Sequence, residues 1–419
     1  MTRVLLVGVS TRAIAESAAR AGFAVTAVDG FGDRDQLRVA RVIALPRDMG
    51  VAYGARNAAR AAGTIDCDAV AYVANFENFP RLVARVAEGR QLLGNPPAVL
   101  ARVRNPLEVA RALRARGVRV PEVRGSEGGM REAGCGMREA GCGPASEERA
   151  SAPRAVPASR IPHPASRTWL LKPLASGGGH GITPWRRGTP VAAHAVLQER
   201  IDGIPGSIVF ATDGVRAVPF ALTRQLIGDA AFGASGFMYC GNILAAAEDS
   251  AWTNDTRVVE QCGAMAQMAV EEFGLVGVNG IDFVARNGVP YLVEINPRYT
   301  AAMELAERAY ELSVFGLHVS ACARSTPLAF DLAQARRGHG AIGKAIVYAR
   351  RRVVIGDTRH WLEDDDVRDV PHAGERIARG RPVCTIFARG PSAEACHAAL
   401  VRRAGRVYEE LDGWRRRSA

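Results

Sequence analysis

The alternation of short apolar runs with helix-like stretches over residues 3–91 constrains the fold more than any other feature of this sequence. The runs RVLLVGVS, FAVTAVDG, ARVIALP and AVAYVANFEN have the length and β-branched content of buried strands, and helical patterns separate them. Strands that alternate with helices in this way form a parallel sheet with helices on both faces. We therefore predict a Rossmann-like α/β domain over residues 1–104.

Polar residues stand where two of these predicted strands end. Ser10 and Arg12 follow the first strand, and Glu77 and Asn78 follow the fourth. Ligands of open parallel sheets bind beyond the carboxyl ends of the strands, so we expect these side chains near a crevice. A turn or helix-cap role explains each of them equally well. The segment GVSTRA lacks the complete glycine fingerprint of dinucleotide-binding proteins, which gives a nicotinamide cofactor little support.

A lysine precedes a glycine-rich loop in residues 170–182, which read LLKPLASGGGHGI. Closely spaced glycines after a strand-like run indicate a backbone that approaches a ligand closely. The P-loop places its lysine after the glycines, and the dinucleotide fingerprint contains no lysine, so neither motif explains this segment. Lys172 and Lys344 are the only lysines among 54 basic residues. This rarity suggests that a compact ammonium group matters at Lys172.

A second motif is a predicted β-hairpin around Asn287-Gly288, a pair that favours tight turns between alternating strands. The period of two places Leu292, Glu294, Asn296 and Arg298 on one face of the second strand. A two-residue turn would send Asp282 to the opposite face. A three-residue loop over residues 286–288 would instead pair Ala285 with Val289 and place Asp282 opposite Leu292, on the face of Glu294 and Asn296. We predict the three-residue loop.

This arrangement favours a metal site. Two carboxylates and an amide oxygen, from Asp282, Glu294 and Asn296, are the ligands that Mg²⁺ prefers, and Mn²⁺ accepts the same set. Arg298 lies beyond them, where it would meet a phosphate or a substrate carboxylate. A solvent-facing polar strand is the alternative interpretation.

Three segments in this order, LLKPLASGGGHGI, VLQERI and IDFVARNGVPYLVEINPR, resemble the ATP-grasp superfamily, whose members join carboxylates to nucleophiles through acyl phosphates. The segment DVPHAGERIARGRPVCTIFARG resembles the C-terminal region of the biotin-carboxylase-related branch, and an uncharacterised group of ATP-dependent carboligases is the most similar group. The resemblance implies a Rossmann-like domain at 1–104, an ATP-grasp domain at 105–325 with a disordered insertion at 125–167, and a small β-containing C-terminal region at 326–419.

The resemblance also implies roles for individual residues. Lys172 would contact the nucleotide phosphates and take part in catalysis with Arg298, while Asp282, Glu294 and Asn296 would hold magnesium. The phosphate-covering flap would consist of Ser176, Gly177, Gly178, Gly179, His180 and Gly181. The linker that binds adenine would consist of Gln198, Glu199, Arg200 and Ile201.

Two departures from the family pattern stand out. Where the family usually carries an Asp-Lys pair before the flap, this chain reads RNPLEV with Pro106 at the lysine position, and either Arg102 or Arg104 is a candidate substitute. The stretch EINPRYTAAMELAERAY replaces the bicarbonate-binding stretch of biotin carboxylases, and Thr300 is typical of a helix cap. Carboxylation of biotin is therefore disfavoured.

The function implied is an ATP- and Mg²⁺-dependent ligase that joins small-molecule carboxylate and amine substrates. The alternatives are a carboxyphosphate-forming enzyme and a catalytically inactive ATP-binding regulatory protein. A net charge of +11 is spread along the chain, so we expect no nucleic-acid partner. With no signal-peptide pattern and no apolar run long enough to span a bilayer, we expect a cytoplasmic protein without a membrane partner; a homodimer stays open.

Overall fold

The computed structural model describes residues 1–125, 168–245, 252, 255–324 and 329–418. The predicted insertion at 125–167 lies outside these ranges except for its first residue. Among the described residues, no helix is long and apolar enough to cross a membrane.

The N-terminal sheet is parallel and has five strands in the order β3-β2-β1-β4-β5. Its strands are β1 (Arg3–Val7), β2 (Ala24–Asp29), β3 (Arg41–Ala44), β4 (Ala69–Tyr72) and β5 (Gln91–Leu93). Helices α1 (Arg12–Arg20), α2 (Leu45–Asp48), α3 (Ala55–Ala62) and α4 (Pro80–Ala87) connect them. Strand residues such as Leu5, Leu6 and Val70 are fully buried, because helices cover both faces of the sheet. The predicted α/β fold of this region is confirmed.

Asp29, at the end of β2, does not face a ligand. Its carboxylate accepts hydrogen bonds from the backbone N–H and the hydroxyl of Thr11, both at 2.7 Å. It also accepts bonds from the N–H groups of Phe31 at 2.6 Å and Gly32 at 2.7 Å. These bonds join the loops that follow β1 and β2. The carboxylate that would hold a ribose in a dinucleotide-binding protein is therefore used to stabilise the loops.

A small antiparallel sheet follows, with strands in the order β6-β9-β7-β8. These strands are β6 (Val123–Gly125), β7 (Trp169–Pro173), β8 (Thr183–Pro184) and β9 (Ala195–Glu199), and helices α5 (Pro97–Val103) and α6 (Pro106–Ala115) precede them. The segment RNPLEV, which differs from the family pattern, contains the start of α6. The side chain of Asn105 there accepts hydrogen bonds from the N–H groups of Leu107 and Glu108. Pro106 occupies the first turn, where its missing N–H costs nothing.

The largest sheet is antiparallel and has eight strands in the order β14-β13-β10-β11-β12-β15-β19-β17. Its strands in chain order are β10 (Ile204–Thr212), β11 (Ala217–Ile227), β12 (Tyr239–Leu244), β13 (Gly277–Arg286), β14 (Val289–Asn296), β15 (Ala341–Tyr348), β17 (Val367–Arg368) and β19 (Pro382–Gly390). Strands β16 (Val353–Val354) and β18 (Arg376–Ile377) pair separately. The remaining helices are α7 (Asp255–Phe273), α8 (Ala301–Tyr310), α9 (Val314–Ala323), α10 (Leu332–Arg337) and α11 (Ala393–Ser418).

The C-terminal strands extend this large sheet rather than forming a sheet apart from it. β15 pairs with β12 through Lys344 opposite Asn242, and β19 pairs with β15 in turn. Strands on both sides of residue 325 thus share one hydrogen-bonded sheet. The mixed α/β and α+β architecture is confirmed, whereas the proposed boundaries at residues 104 and 325 stay a prediction.

The predicted three-residue hairpin loop is wrong. Arg286 pairs directly with Val289, so only Asn287 and Gly288 form the turn. Both have positive φ angles, 52° and 72°. A two-residue turn of this kind matches the right-handed twist of its strands, which is why Asn-Gly favours it.

Asp282 nevertheless reaches the face of Glu294, because the hairpin contains a β-bulge. Phe283 pairs with Leu292 but Asp282 pairs with Glu294, so Val293 is an extra residue on the second strand. An extra residue on one strand moves the side chains that follow it to the opposite face relative to the partner strand. Here this shift compensates for the turn, which has two residues instead of three. The carbonyl of Val293 accepts a hydrogen bond from Nε2 of Gln198 at 3.2 Å, which satisfies the bulged backbone.

Candidate active site

Two carboxylates and an amide form an acidic group on the face of the β13–β14 hairpin. Nδ2 of Asn296 donates to Oδ2 of Asp282 at 2.9 Å. Nε2 of Gln225, on β11, donates to Oδ1 of Asp282 at 2.9 Å. Burial and the neighbouring charge of Glu294 raise the pKa of Asp282 to about 6. Two carboxylates held this close favour a cation between or beside them.

Glu294 lies between two basic side chains that come from distant parts of the chain. Nζ of Lys172, on β7, is 3.2 Å from Oε2 of Glu294, and Nη1 of Arg104 is 2.6 Å from Oε1. Burial raises the pKa of Glu294, but the charges of Lys172 and Arg104 outweigh this effect and lower it to about 2. Glu294 is therefore ionised at neutral pH.

Arg104, and not Arg102, is the basic residue that reaches this site. Nε of Arg104 donates to Oδ1 of Asn78 at 2.8 Å, in addition to its bond to Glu294. Arg102 turns away and pairs with Glu108 at 2.8 Å and Glu272 at 3.0 Å. The two arginines are two residues apart at the end of one helix, so the sequence alone left the choice between them open.

Arg298 connects the hairpin to the N-terminal sheet. Its Nε donates to Oε1 of Glu77 at 2.7 Å, and its Nη2 donates to Oδ1 of Asn296 at 3.2 Å. Of the four polar residues expected at the crevice, Glu77 and Asn78 thus lie at the site. Ser10 is exposed, and Arg12 is buried in a separate ion-pair cluster with Glu304.

The glycine-rich segment is a loop that rests on the start of β12. Gly178, Gly179 and Gly181 have positive φ angles of 61°, 77° and 77°, which side chains with a Cβ rarely adopt. The N–H of Tyr239 donates to the carbonyl of Gly178 at 3.0 Å. The hydroxyl of Ser176 donates to the Pro173 carbonyl at 3.2 Å and stabilises the beginning of the loop.

His180 lies at the tip of this loop, next to Gly181, and Gly177 is exposed beside it. Partial burial of the ring and the charge of Arg381 lower the pKa of His180. The imidazole is therefore neutral at pH 7, which makes it a hydrogen-bonding group rather than a charge partner for phosphate.

Alanine at position 179 should disrupt the loop, because a Cβ there would lie 1.8 Å from the carbonyl oxygen of Phe237. Gly178 is the matched control, since it also has a positive φ but its Cβ would meet only the His180 ring at 3.6 Å. If the loop covers nucleotide phosphates, as the resemblance implies, Gly179→Ala should weaken MgADP binding by about tenfold relative to Gly178→Ala, with unchanged thermal unfolding. Isothermal titration calorimetry measures the affinity, and equal affinities for the two variants would contradict the prediction.

The predicted adenine linker lies at the end of β9, beside the hairpin. Gln198 contacts the bulge at Val293, as described above, and the carboxylate of Glu199 accepts the N–H of Glu122 at 3.1 Å. The N–H groups of Glu199 and Arg200 donate to the carbonyls of residues 122 and 168. Arg200 points outward, where it pairs with Asp202 at 3.0 Å and lines a surface pocket of about 230 Å³. Ile201 is buried.

Sequence reasoning missed Gln225, which touches the same carboxylate as Asn296. Nothing in the segment ALTRQLI distinguishes this glutamine from a surface residue. Only the pairing of β10 with both β11 and β13 brings it next to Asp282. Residues that act from the third strand of a sheet leave no spacing signal in the sequence.

The site fits a magnesium ion by its donor set, which is all oxygen. No group of three or more His, Cys, Asp or Glu side chains suited to a metal occurs in the part of the chain that the structure describes. Mg²⁺ needs only one or two carboxylates, because water and phosphate oxygens complete its octahedron. Three cations, Lys172, Arg104 and Arg298, balance three carboxylates, Glu77, Asp282 and Glu294. A cation beside Asp282 and Glu294 would offset burial and the charge of Glu294, which together raise the pKa of Asp282.

Comparison with known proteins identifies a domain that contains Lys172 and the hairpin residues of this site. Residues 145–302 match the ATP-grasp domain family, so the match begins inside the segment that sequence analysis treats as an insertion. An uncharacterised protein of Methanocaldococcus jannaschii is 25% identical over 120 residues, which is 29% of this chain and 28% of that relative's length. The chain thus spans less than a third of that curated relative.

Solved structures share the whole architecture. An ADP complex of N5-carboxyaminoimidazole ribonucleotide synthetase is 15% identical, covers 98% of both chains and has a TM-score of 0.64. The dimeric biotin carboxylase domain of Hydrogenobacter thermophilus 2-oxoglutarate carboxylase, with MgADP and bicarbonate, is 14% identical, covers 93% of this chain and 86% of its own, and has a TM-score of 0.63. The resemblance to the ATP-grasp superfamily and its biotin-carboxylase-related architecture is confirmed at the level of the fold.

Proposed function

We propose that this chain, which carries an ATP-grasp domain, is an ATP- and Mg²⁺-dependent ligase that joins a small-molecule carboxylate to an amine through an acyl phosphate. One observation carries the proposal: Lys172 from the small sheet and Arg104 from the N-terminal helices converge on Glu294 of the large sheet. Phosphoryl transfer depends mostly on positioning and charge neutralisation, and this convergence supplies both.

The nucleotide would bind between the small and large sheets. In this proposal Lys172 contacts its phosphates, and the loop from Ser176 to Gly181 covers them with backbone N–H groups. Because the N–H groups of Glu199 and Arg200 already bond to neighbouring strands, we assign adenine to the linker backbone at Ile201. Arg104 takes the place of the family's second nucleotide-binding lysine.

Asp282, Glu294 and Asn296 would hold magnesium, for which Mn²⁺ is a substitute. When bound, the ion neutralises phosphate oxygens. Arg298 lies one hydrogen bond from Asn296, and we assign it to the transferred phosphoryl group, whose charge it would stabilise. The bond from Gln225 fixes the orientation of the Asp282 carboxylate.

Two steps follow from this arrangement. A substrate carboxylate attacks the γ-phosphorus, which forms an acyl phosphate and releases ADP. The amine then attacks the acyl carbon, the bond to phosphate breaks, and an amide and inorganic phosphate leave. The glycine-rich loop excludes water during both steps, because water would hydrolyse the acyl phosphate.

Release of ADP tests the proposal. The purified chain is incubated with ATP, Mg²⁺ and pools of carboxylic acids and amines, and ADP is measured by a coupled assay. We expect ADP release that requires one acid pool and increases with one amine pool. Release that requires bicarbonate alone would favour a carboxyphosphate-forming enzyme instead. ATP binding without any stimulated release would favour a regulatory protein.

A further inference from the structure

Three polar atoms in the short segment of residues 75–78, called here the loop after β4, have no hydrogen-bond partner among the described residues. They are Oδ1 of Asn75, Oε2 of Glu77 and Nδ2 of Asn78, and all three atoms are buried. The side chains of Glu77 and Asn78 are also buried as a whole, since these residues are 2% and 9% exposed. A buried polar atom without a hydrogen bond costs free energy, and a charged carboxylate oxygen costs the most. Each of these atoms can therefore bond a ligand or an ordered water.

This loop lies at the site and not elsewhere on the N-terminal sheet. It follows β4 at the carboxyl edge of the parallel sheet, which is where such sheets bind ligands. The second carboxylate oxygen of Glu77 bonds Arg298 at 2.7 Å, and Oδ1 of Asn78 bonds Nε of Arg104 at 2.8 Å. One further bond leads from each arginine to Asn296 or Glu294. Through these arginines, the side chains of Glu77 and Asn78 are thus linked to the side chains that would hold the metal.

The chemistry of the three atoms selects one kind of ligand. Oε2 of Glu77 and Oδ1 of Asn75 accept hydrogen bonds only, so they require N–H or O–H donors. The orientation of Asn78 follows from its bond to Arg104, because the guanidinium only donates, and this leaves its Nδ2 as a donor. An anionic group would be repelled by Glu77, whereas an amino group carries the N–H donors that these acceptors require.

We propose that the loop of Asn75, Glu77 and Asn78 binds the amino group of the amine substrate, with Nδ2 of Asn78 meeting an acceptor atom next to that group. The inference rests on the proposed ligase function, and it names the half of the site that takes the nucleophile. Its position beside Arg298 places the amine next to the group assigned to the transferred phosphoryl.

Binding of simple amines tests the inference without knowledge of the natural substrate. The full chain saturated with ADP and Mg²⁺ is titrated with methylammonium, ethanolammonium and the proteinogenic amino acids, and binding is followed by ligand-observed NMR. Tetramethylammonium, which is cationic but has no N–H group, and acetate are the comparison probes. We expect one or more amines to bind and both comparison probes to fail.

Glu77→Gln is the decisive variant, because it keeps the shape and the oxygen that accepts from Arg298 while it replaces the unpaired oxygen with a donor. We expect it to weaken amine binding by about tenfold or more and leave ADP binding unchanged. Asn75→Ala should weaken amine binding to a smaller extent. Glu108→Gln, which removes a carboxylate paired with Arg102 away from the site, should change neither affinity.

The outcomes separate this inference from the function on which it rests. If the wild-type chain does not bind MgADP, the proposed function fails. If it binds MgADP but no amine, or binds tetramethylammonium equally well, the inference alone is overturned. A crystal structure that shows only an ordered water on Oε2 of Glu77, not displaced by amines, would overturn it as well.

Discussion

Glu294→Gln should lower ADP formation by about a thousandfold, the largest effect on activity that we expect from any single replacement. The carboxylate stands between Lys172 and Arg104, at 3.2 Å and 2.6 Å, and their charges lower its pKa to about 2. Glutamine has nearly the same shape but no charge, so it would leave two cations facing each other and remove a ligand from the proposed metal site. Both losses act on the phosphoryl-transfer step.

The measurement is ADP release with Mg²⁺ in the substrate pools that stimulate the wild-type chain, together with the MgADP affinity. Glu108→Gln serves as the control, because it removes a carboxylate that is also paired with an arginine but lies outside the site. Normal folding of Glu294→Gln is checked by its circular dichroism spectrum. Turnover that survives the replacement would contradict the metal assignment, even if nucleotide binding persisted.

The strand pattern and the motifs were readable in the sequence because each depends on local spacing. The alternation over residues 3–91 predicts the parallel sheet, and the structure has it. The glycines at 178, 179 and 181 indicate a backbone that approaches a ligand closely; all three adopt positive φ angles, and the ligand contact stays a prediction. Local backbone preferences decide both features, so no knowledge of distant residues is needed.

The shared face of the hairpin was predicted for the wrong reason. The turn at Asn287-Gly288 has two residues, and the bulge at Val293 restores the alignment of Asp282 with Glu294. A bulge adds one residue without any required amino-acid type, so the period of two cannot reveal it. The hydrogen bond from Gln198 to the carbonyl of Val293 comes from a strand of another sheet, nearly a hundred residues earlier in the chain.

The charged residues show the same limit of sequence analysis. Composition singled out two lysines, and their positions differ completely: Lys172 contacts Glu294 at the site, whereas Lys344 is buried and donates to Glu304 at 2.5 Å. Arg104 and Arg12 make equally specific contacts. Composition does not single them out, because 52 of the 54 basic residues are arginine. Only tertiary structure distinguishes an arginine in a site from one on the surface.

Arg12→Met should cause the largest loss of stability, about 3–5 kcal/mol in the free energy of unfolding. Arg12 is 1% exposed and joins three parts of the fold: it begins α1, bonds Glu304 on α8, and bonds Asp369, which follows β17, at 2.8 Å. Asp35 lies 3.7 Å away. Methionine fills similar space but leaves these buried carboxylates without their main cation, and the penalty for an uncompensated buried charge exceeds the packing that is kept.

Urea denaturation at neutral pH measures this loss, and Arg102→Met is the control, because Arg102 is also doubly ion-paired but its side chain is 42% exposed. The control should cost far less, since solvent screens exposed pairs.

The stability lost on replacing Arg12 should also depend on pH. Burial raises the pKa of Glu304, but Arg12 and Lys344 outweigh it and hold that pKa well below its ordinary value.

A carboxylate whose pKa is lowered on folding contributes stability above its unfolded pKa, and the contribution is lost as the pH falls through the folded pKa. The difference between the wild-type chain and Arg12→Met should therefore be full at neutral pH and shrink on acidification below about pH 4. A difference that is independent of pH, or a loss no larger than that of Arg102→Met, would mean that packing rather than charge makes Arg12 important. Because α8 begins three residues after Arg298, a loss of charge balance at Arg12 should also displace the hairpin that carries Glu294, and MgADP affinity should fall together with stability.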